Sequence, residues 1–248
     1  MKKNLSLNHH FLLPVFAFIF CLFSCNKESL KTNSLNGNAA SNSTADVKQL
    51  VLAPGFYEKA SASVEKSLLT SATDTTPDFR GDTTLSIYAW TTSGRAVFGR
   101  AFIRFAGLSQ IPNTSQVVSA TLHLTGITDP NRSMPQGDSY YPGSPYPLDN
   151  SVVVAGVTEN WIAKTLTWNN QPPVTQRGVQ IIPASTQQWG YNVDIDVTEL
   201  VSAMVAHPAR NYGFELRCQV EEKYRSMGFY STQHPDSAKR PTLIVTYN

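Results

Sequence analysis

Cationic side chains occupy alternating positions of three predicted strands, where they could bind an anionic ligand. Arg100, Arg104, His123 and Arg217 each stand next to apolar residues in these segments. Because successive side chains of a strand point to opposite faces, the four cations should face outward when their apolar neighbours face the core. If the strands are neighbours in one sheet, the four side chains form a basic strip suited to a polymer that carries carboxylates. The alternative is a set of paired charges on a solvated sheet.

A long loop offers a second candidate surface. Segment 129–147 lacks strand or helix periodicity and contains Tyr140, Tyr141 and Tyr146 among several prolines. Ordered loops of this length are often functional, and tyrosines on a stiffened backbone could form a stacking platform for a ligand. We place Tyr140 or Tyr141 near the rim of the basic strip. The alternative is an irregular insertion without a role.

Sequence signatures of common enzymes are absent. The chain has no Gly-x-Ser-x-Gly elbow, no His-Glu-x-x-His and no phosphate-binding loop. Asp194 and Asp196 could act as paired carboxylates of a glycosidase only if both reached one cleft. We predict no catalytic residue. A polysaccharide lyase stays an alternative, because a lyase site built from Tyr, His and Arg has no short signature.

Metal and cofactor signals are weak. Asp78, Asp82, Asp129 and Asp138 lie in predicted turns, and carboxylates in turns can bind calcium. None of them has the spacing of an EF-hand loop. We therefore predict no cofactor and leave a structural calcium ion open.

The N-terminal segment is typical of an exported lipoprotein. Lys2 and Lys3 precede an apolar run over residues 11–23, which is too short for a membrane span and ends in Leu-Phe-Ser before Cys25. The bulky Phe20 makes Cys21 the poorer lipidation site. We predict a signal peptide at 1–24, lipidation of Cys25, a flexible tether at 25–46 and a folded domain at 47–248. A plain secretory signal is the alternative.

The charge balance bears on the class of binding partner, and the cysteine content bears on disulfide bonds. Cleavage before Cys25 removes two of the 20 basic residues and none of the 18 acidic ones, so the charges balance. This balance gives no reason to expect a nucleic-acid partner. Cys218 is then the one cysteine besides the anchor, and we expect a buried thiol and no disulfide within the chain.

The folded part is predicted to be all-β. At least eight segments have the character of strands, most of them with alternating apolar and polar residues, and turn residues separate them. This count favours a two-sheet sandwich of jelly-roll type. One helix is predicted from Val197, with Asp196 as its cap, Glu199 completing a capping box and Pro208 ending it. We expect this short helix to close one end of the sandwich rather than to carry chemistry.

Several motifs together resemble a known family. Trp161 is followed by Thr-Leu-Thr-Trp-Asn-Asn-Gln-Pro at 165–172, and further matching segments stand at 100–105, 119–124, 196–201, 211–216, 229–232 and 240–247. Over roughly residues 82 to 248 they resemble the DNRLRE domain family, also classed as carbohydrate-binding module family 96. We expect Trp161 and Trp168 to pack against the sandwich, with Asn169 and Asn170 shaping the turn before Pro172. The alternative is that the tryptophans stack on sugar rings.

The resemblance implies binding of a polysaccharide without catalysis, and acidic polysaccharides such as alginate are the leading candidates. Combined with the N-terminal signals, it predicts a carbohydrate-binding lipoprotein of a bacterial outer membrane, on the cell surface or the periplasmic face. Its partners would be the polysaccharide, the membrane through the lipid anchor, and polysaccharide-degrading enzymes or transporters. Two alternatives stay open: a structural or adhesion module that binds another protein, and a polysaccharide lyase or hydrolase.

Overall fold

The computed structural model describes residues 46–53, 61–67, 83–129 and 148–248. These residues form eleven strands and one α-helix, joined by turns and short 3-10 segments. In chain order the elements are β1 (Lys48–Leu52), β2 (Ser61–Ser67), β3 (Thr84–Thr92), β4 (Arg95–Ile103), β5 (Val117–Leu124), β6 (Val152–Gly156), β7 (Gln180–Ile182), β8 (Val193–Asp196), α1 (Thr198–Ala206), β9 (Phe214–Cys218), β10 (Arg225–Tyr230) and β11 (Thr242–Tyr247). The prediction of an all-β fold with one short helix is confirmed.

The strands form two antiparallel sheets. The four-stranded sheet has the order β1-β11-β5-β8. The seven-stranded sheet has the order β10-β3-β4-β9-β6-β7, with β2 pairing to β4 outside this path. Because β5 and β4 lie in different sheets, cations on these two strands cannot share one outer face.

A single large core lies between the sheets. Alternating residues of the strands point into it, such as Leu122 on β5, Leu243 on β11 and Ile103 on β4, all fully buried. Such alternation is the pattern expected for strands with one face on a core. Leu200, Val201, Met204 and Val205 of α1 join the same core. Helical spacing thus places the apolar side of α1 against the sandwich.

The start of α1 differs in detail from the predicted capping box. Val197 is the N-cap residue, and Asp196 lies one position earlier. The Asp196 carboxylate still accepts hydrogen bonds from the backbone amide and the hydroxyl of Thr198, at 2.9 and 2.6 Å, and these bonds lower its pKa. Glu199 does not close the box, because its carboxylate accepts a hydrogen bond from Arg177 at 3.0 Å.

A second apolar cluster lies on the other side of the seven-stranded sheet, facing away from the main core. We call it the outer cluster; it consists of Ala62, Phe102, Val157, Trp161 and Leu166. Phe102 alternates with the core residues of β4 and is nevertheless fully buried. The segment that follows β6 therefore covers part of this sheet. β4 is thus covered on both faces at Phe102.

Cys218 ends β9 and is fully buried, as the alternation predicted. Burial raises the pKa of its thiol to about 12, so almost no thiolate is present at neutral pH. We expect iodoacetamide at pH 8 to leave Cys218 unmodified in the folded chain and to modify it in urea, as read by peptide mass spectrometry. Equal modification rates with and without urea would contradict this burial.

Candidate functional site

Trp161 is the centre of the outer cluster. Its side chain is 7% exposed, and its ring centroid lies 5.7 Å from that of Phe102. The indole Nε1 donates a hydrogen bond to the backbone oxygen of Tyr212 at 2.7 Å. A buried indole with a satisfied N–H has a packing role. In the structure, Trp161 thus packs against the seven-stranded sheet, in the position expected of it.

The turn after Trp161 is held by the amide side chain of Asn170. Its Oδ1 accepts hydrogen bonds from the amide and the hydroxyl of Thr167, at 2.6 and 3.0 Å, and its Nδ2 donates to the oxygen of Thr165 at 2.8 Å. Trp168–Asn170 form a single 3-10 turn, with Asn169 exposed and the following Pro172 buried. Asn170 thus shapes the turn as predicted and brings Trp168 back to the sheet.

Arg104 is stacked on Trp161. Its guanidinium carbon lies 4.8 Å from the ring centroid, and Nη2 donates hydrogen bonds to Trp161 O at 2.8 Å and to Asn160 Oδ1 at 3.1 Å. The guanidinium therefore faces the indole ring and the backbone of the same residue. Burial lowers the pKa of Arg104. Trp161, the first residue of the Trp-containing motif identified in the sequence, therefore orients the Arg104 side chain.

Arg100 has the corresponding position over Trp168, with 4.5 Å between its guanidinium carbon and the ring centroid. Its Nε and Nη2 donate to the two oxygens of Glu221, each at 2.7 Å. Its Nη1 donates to Gln171 Oε1 at 3.0 Å. Such a bidentate pair fixes a guanidinium strongly. Sequence reasoning did not identify Gln171 or Glu221, because Glu221 lies 121 positions from Arg100.

Glu215 joins two arginines beneath this surface. Its carboxylate lies 3.8 Å from Arg100 Nη1 and 3.3 Å from Arg217 Nε, and its side chain is only 2% exposed. Alternation correctly placed Glu215 on the outer face, but the covering segment buries it there. Burial raises the pKa of Glu215, and the two guanidinium groups oppose that rise. Arg100, Arg104 and Arg217 thus occupy one region, which we call the arginine strip.

His123 does not belong to the arginine strip. It lies on β5 in the four-stranded sheet, where its Nδ1 is 2.7 Å from Asp194 Oδ1 of β8. The expectation that its strand neighbours those of the arginines was wrong, because β5 pairs with β8 and β11. Strands of both sheets of a sandwich show the same alternation, so the pattern does not tell which sheet a strand joins.

Several predicted site residues lie outside the described residues. They are Cys25, Tyr140, Tyr141 and Tyr146, together with the turn residues Asp78, Asp82 and Asp138. In the part of the chain that the structure describes, no group of three or more His, Cys, Asp or Glu residues could hold a metal ion. Nor does any helix in that part have the length and apolar character needed to span a membrane.

An open cleft lies beside α1. We call it the α1 cleft; its volume is about 580 Å³, and its walls include β6 residue Gly156, the segment Thr175 to Arg177, and residues of α1 and after it. Its polar lining contains Arg177, Glu199, His207 and Arg210, and Tyr212 stands at its border with the outer cluster. One faint sequence signal for this cleft was available, because the basic residues His207 and Arg210 come shortly after the predicted helix. Arg177 comes from a separate segment, and only the fold brings it to the same cleft.

Comparison with known proteins agrees with this geometry. Residues 63–247 match the model of carbohydrate-binding module family 96. The matched range contains the Trp161 segment, all strands from β3 to β11 and the helix α1. No curated protein matches the chain. The matched family implies non-catalytic carbohydrate binding. Since the match covers most of its length, the chain belongs to carbohydrate-binding module family 96.

Proposed function

We propose that the chain binds an acidic polysaccharide, such as alginate, and holds it without cleaving it. Family membership supports a carbohydrate ligand. The preference for an acidic one rests on the arginine strip, where Arg100, Arg104 and Arg217 face two carboxylates, those of Glu215 and Glu221. The region therefore keeps a net positive charge.

Among the described residues, Arg217 is the member of the strip whose two terminal nitrogens are both free. Its Nε is engaged with Glu215, its side chain is 27% exposed, and its terminal nitrogens have no hydrogen-bond partner among the described residues. A guanidinium with two free terminal nitrogens suits the two oxygens of a sugar carboxylate. Arg100 would contribute mainly through its charge, because its Nε, Nη1 and Nη2 already donate hydrogen bonds. Arg104 would do the same, because its guanidinium is stacked on Trp161 and its Nη2 donates to Trp161 O and Asn160 Oδ1.

The proposed cellular setting rests on the N-terminal sequence. Lipidation of Cys25 and a tether over 25–46 would attach the domain to a bacterial outer membrane, on the cell surface or the periplasmic face. There it would hold the polysaccharide near degrading enzymes or transporters.

A second candidate function is a structural or adhesion module that binds another protein. Val47, Val51 and Val118, in or beside β1 and β5, are each at least half exposed. Exposed aliphatic side chains on one sheet can form part of a protein interface. A chain that binds no polysaccharide would favour this candidate.

We expect the purified full chain, in detergent, to be retained on immobilised alginate and not on a neutral glucan. Retention should weaken between low and moderate salt, because charge pairs between a protein and a polyanion are screened. Affinity electrophoresis measures this retention, and reducing-end and unsaturated-product assays run beside it should show no product. Product formation would favour the lyase or hydrolase alternative.

The double substitution Arg104→Ala with Arg217→Ala tests the arginine strip itself. We expect it to weaken alginate retention without changing the behaviour on the neutral glucan. Unchanged affinity for alginate would remove the strip from the proposal.

A further inference from the structure

We propose that the α1 cleft binds a carboxylate-bearing sugar unit of the same acidic polysaccharide, through Arg177 and Arg210. This inference rests on the proposed function and adds a binding site outside the predicted strip. From the sequence, the helix α1 was expected only to close one end of the sandwich. The charges, the shape and the position of the cleft each argue for a ligand.

The cleft has more positive than negative groups. Arg177 and Arg210 line the cleft together with a single carboxylate, that of Glu199, and His207 adds an imidazole ring. The side chain of Arg177 is 90% exposed and uses only its Nε, which donates to Glu199 at 3.0 Å. Within the described residues, the terminal nitrogens of Arg177 and the guanidinium of Arg210 have no partner. Free guanidinium donors in a concave site suit a carboxylate.

Gly178 helps to fix this arrangement. Its φ of 69° is left-handed, and a Cβ at this position would lie 3.1 Å from Glu199 Cγ. The backbone after Arg177 therefore passes close against the Glu199 side chain. This close passage keeps Arg177 and Glu199 beside each other at the mouth of the cleft. A sugar carboxylate entering there would compete with Glu199 for Arg177.

The size and the apolar part of the lining also fit a sugar. A volume of about 580 Å³ is within the range of small-molecule sites, which is roughly 300–1,000 Å³. Val157, Leu200 and Met204 supply apolar surface, and Tyr212 supplies a half-buried aromatic ring. A uronate ring has the matching combination of an apolar face and a charged edge.

The α1 cleft and the arginine strip are neighbours. Tyr212, which lines the cleft, accepts the hydrogen bond from the indole of Trp161, on which Arg104 is stacked. A polysaccharide lying along the strip would therefore reach the cleft within a few sugar units. Cations in both places could contact successive carboxylates of one chain.

The test uses isothermal titration of the full chain in detergent with an alginate tetrasaccharide and with the same tetrasaccharide after reduction of its carboxyl groups. We expect Arg177→Ala with Arg210→Ala to weaken binding of the acidic form at least about tenfold, the effect of losing one or two charge-assisted hydrogen bonds. Lys48→Ala with Lys223→Ala removes the same charge elsewhere and should change affinity less than about twofold. The wild type should bind the reduced form weakly.

Glu199→Gln provides a readout that a structural role would not give. It removes the one carboxylate of the cleft lining, so the affinity for the acidic tetrasaccharide should rise severalfold. Unchanged binding by both the double arginine variant and Glu199→Gln would overturn the inference. If the Arg104 and Arg217 double variant alone lost binding, the proposed function would stand with the strip as its site. Absence of binding by the wild type would overturn the proposed function itself.

Discussion

Replacing Trp161 with alanine is expected to lower the free energy of unfolding by about 3–5 kcal/mol, as for other buried large-to-small substitutions. The indole fills the outer cluster against Phe102 and donates its N–H to Tyr212 O. It also carries Arg104 on its face. Removing it opens a cavity and leaves Arg104 above an empty site. Urea denaturation followed by circular dichroism measures the change.

Trp161→Phe is the matched control for this substitution. It keeps an aromatic ring in contact with Phe102 and Arg104 but removes the hydrogen-bond donor to Tyr212 O. The free energy of unfolding should therefore fall less than in Trp161→Ala. A Trp161→Ala protein that loses less than about 1 kcal/mol would mean that the outer cluster contributes little to stability. The motif would then require a direct role in ligand contact.

Replacing Gly213 with alanine is expected to cost more than about 4 kcal/mol, in the range that marks a severe local clash. Gly213 precedes β9 with a φ of 79°, and a Cβ there would lie 2.1 Å from the backbone oxygen of Ile103 and 2.8 Å from Arg104 Cα. Both atoms are backbone, so no side-chain rotation can relieve the contact. The pairing of β9 with β4 begins at this point, between Phe214 and Ile103.

Gly94→Ala separates the cost of a positive φ from the cost of the backbone clash expected in Gly213→Ala. Gly94 has nearly the same φ, 77°, but a Cβ there would meet no atom within 4 Å. Gly94→Ala should therefore lower the free energy of unfolding only through backbone strain, by about 1–2 kcal/mol. Thermal and urea unfolding of both variants measure the difference. Equal losses for the two glycines would show that the approach of Gly213 to β4 is not as close as described.

Local patterns were enough to predict the fold class. Alternation identified the parts of β3 to β6 and of β8 to β11 that supply the main core, and helical spacing identified α1. β7 was missed because three residues are too few to show a period. β1 and β2 were missed as well, in a stretch where the family motifs offered no guide. Strand pairing decides the sheet, and no local pattern carries that information, as His123 illustrates.

The candidate site could be predicted only in part. Arg100 and Arg217 were found because they alternate with core residues on the paired strands β4 and β9, and Arg104 was found because it continues the alternation directly after β4. The burial of Glu215 was not foreseen, because alternation assigns a face without telling what covers it. The lining of the α1 cleft comes from segments far apart in the chain, and its charges meet only after the fold is complete.

The double covering of β4 has a consequence for ligand binding. A strand packed on both faces opens rarely, since local opening would have to expose two apolar layers at once. Arg100 and Arg104 are attached to this strand, and their guanidinium groups are stacked on Trp168 and Trp161. Their side chains therefore have little rotational freedom left to lose when a ligand arrives. The entropic cost of association is reduced in advance, at the time of folding.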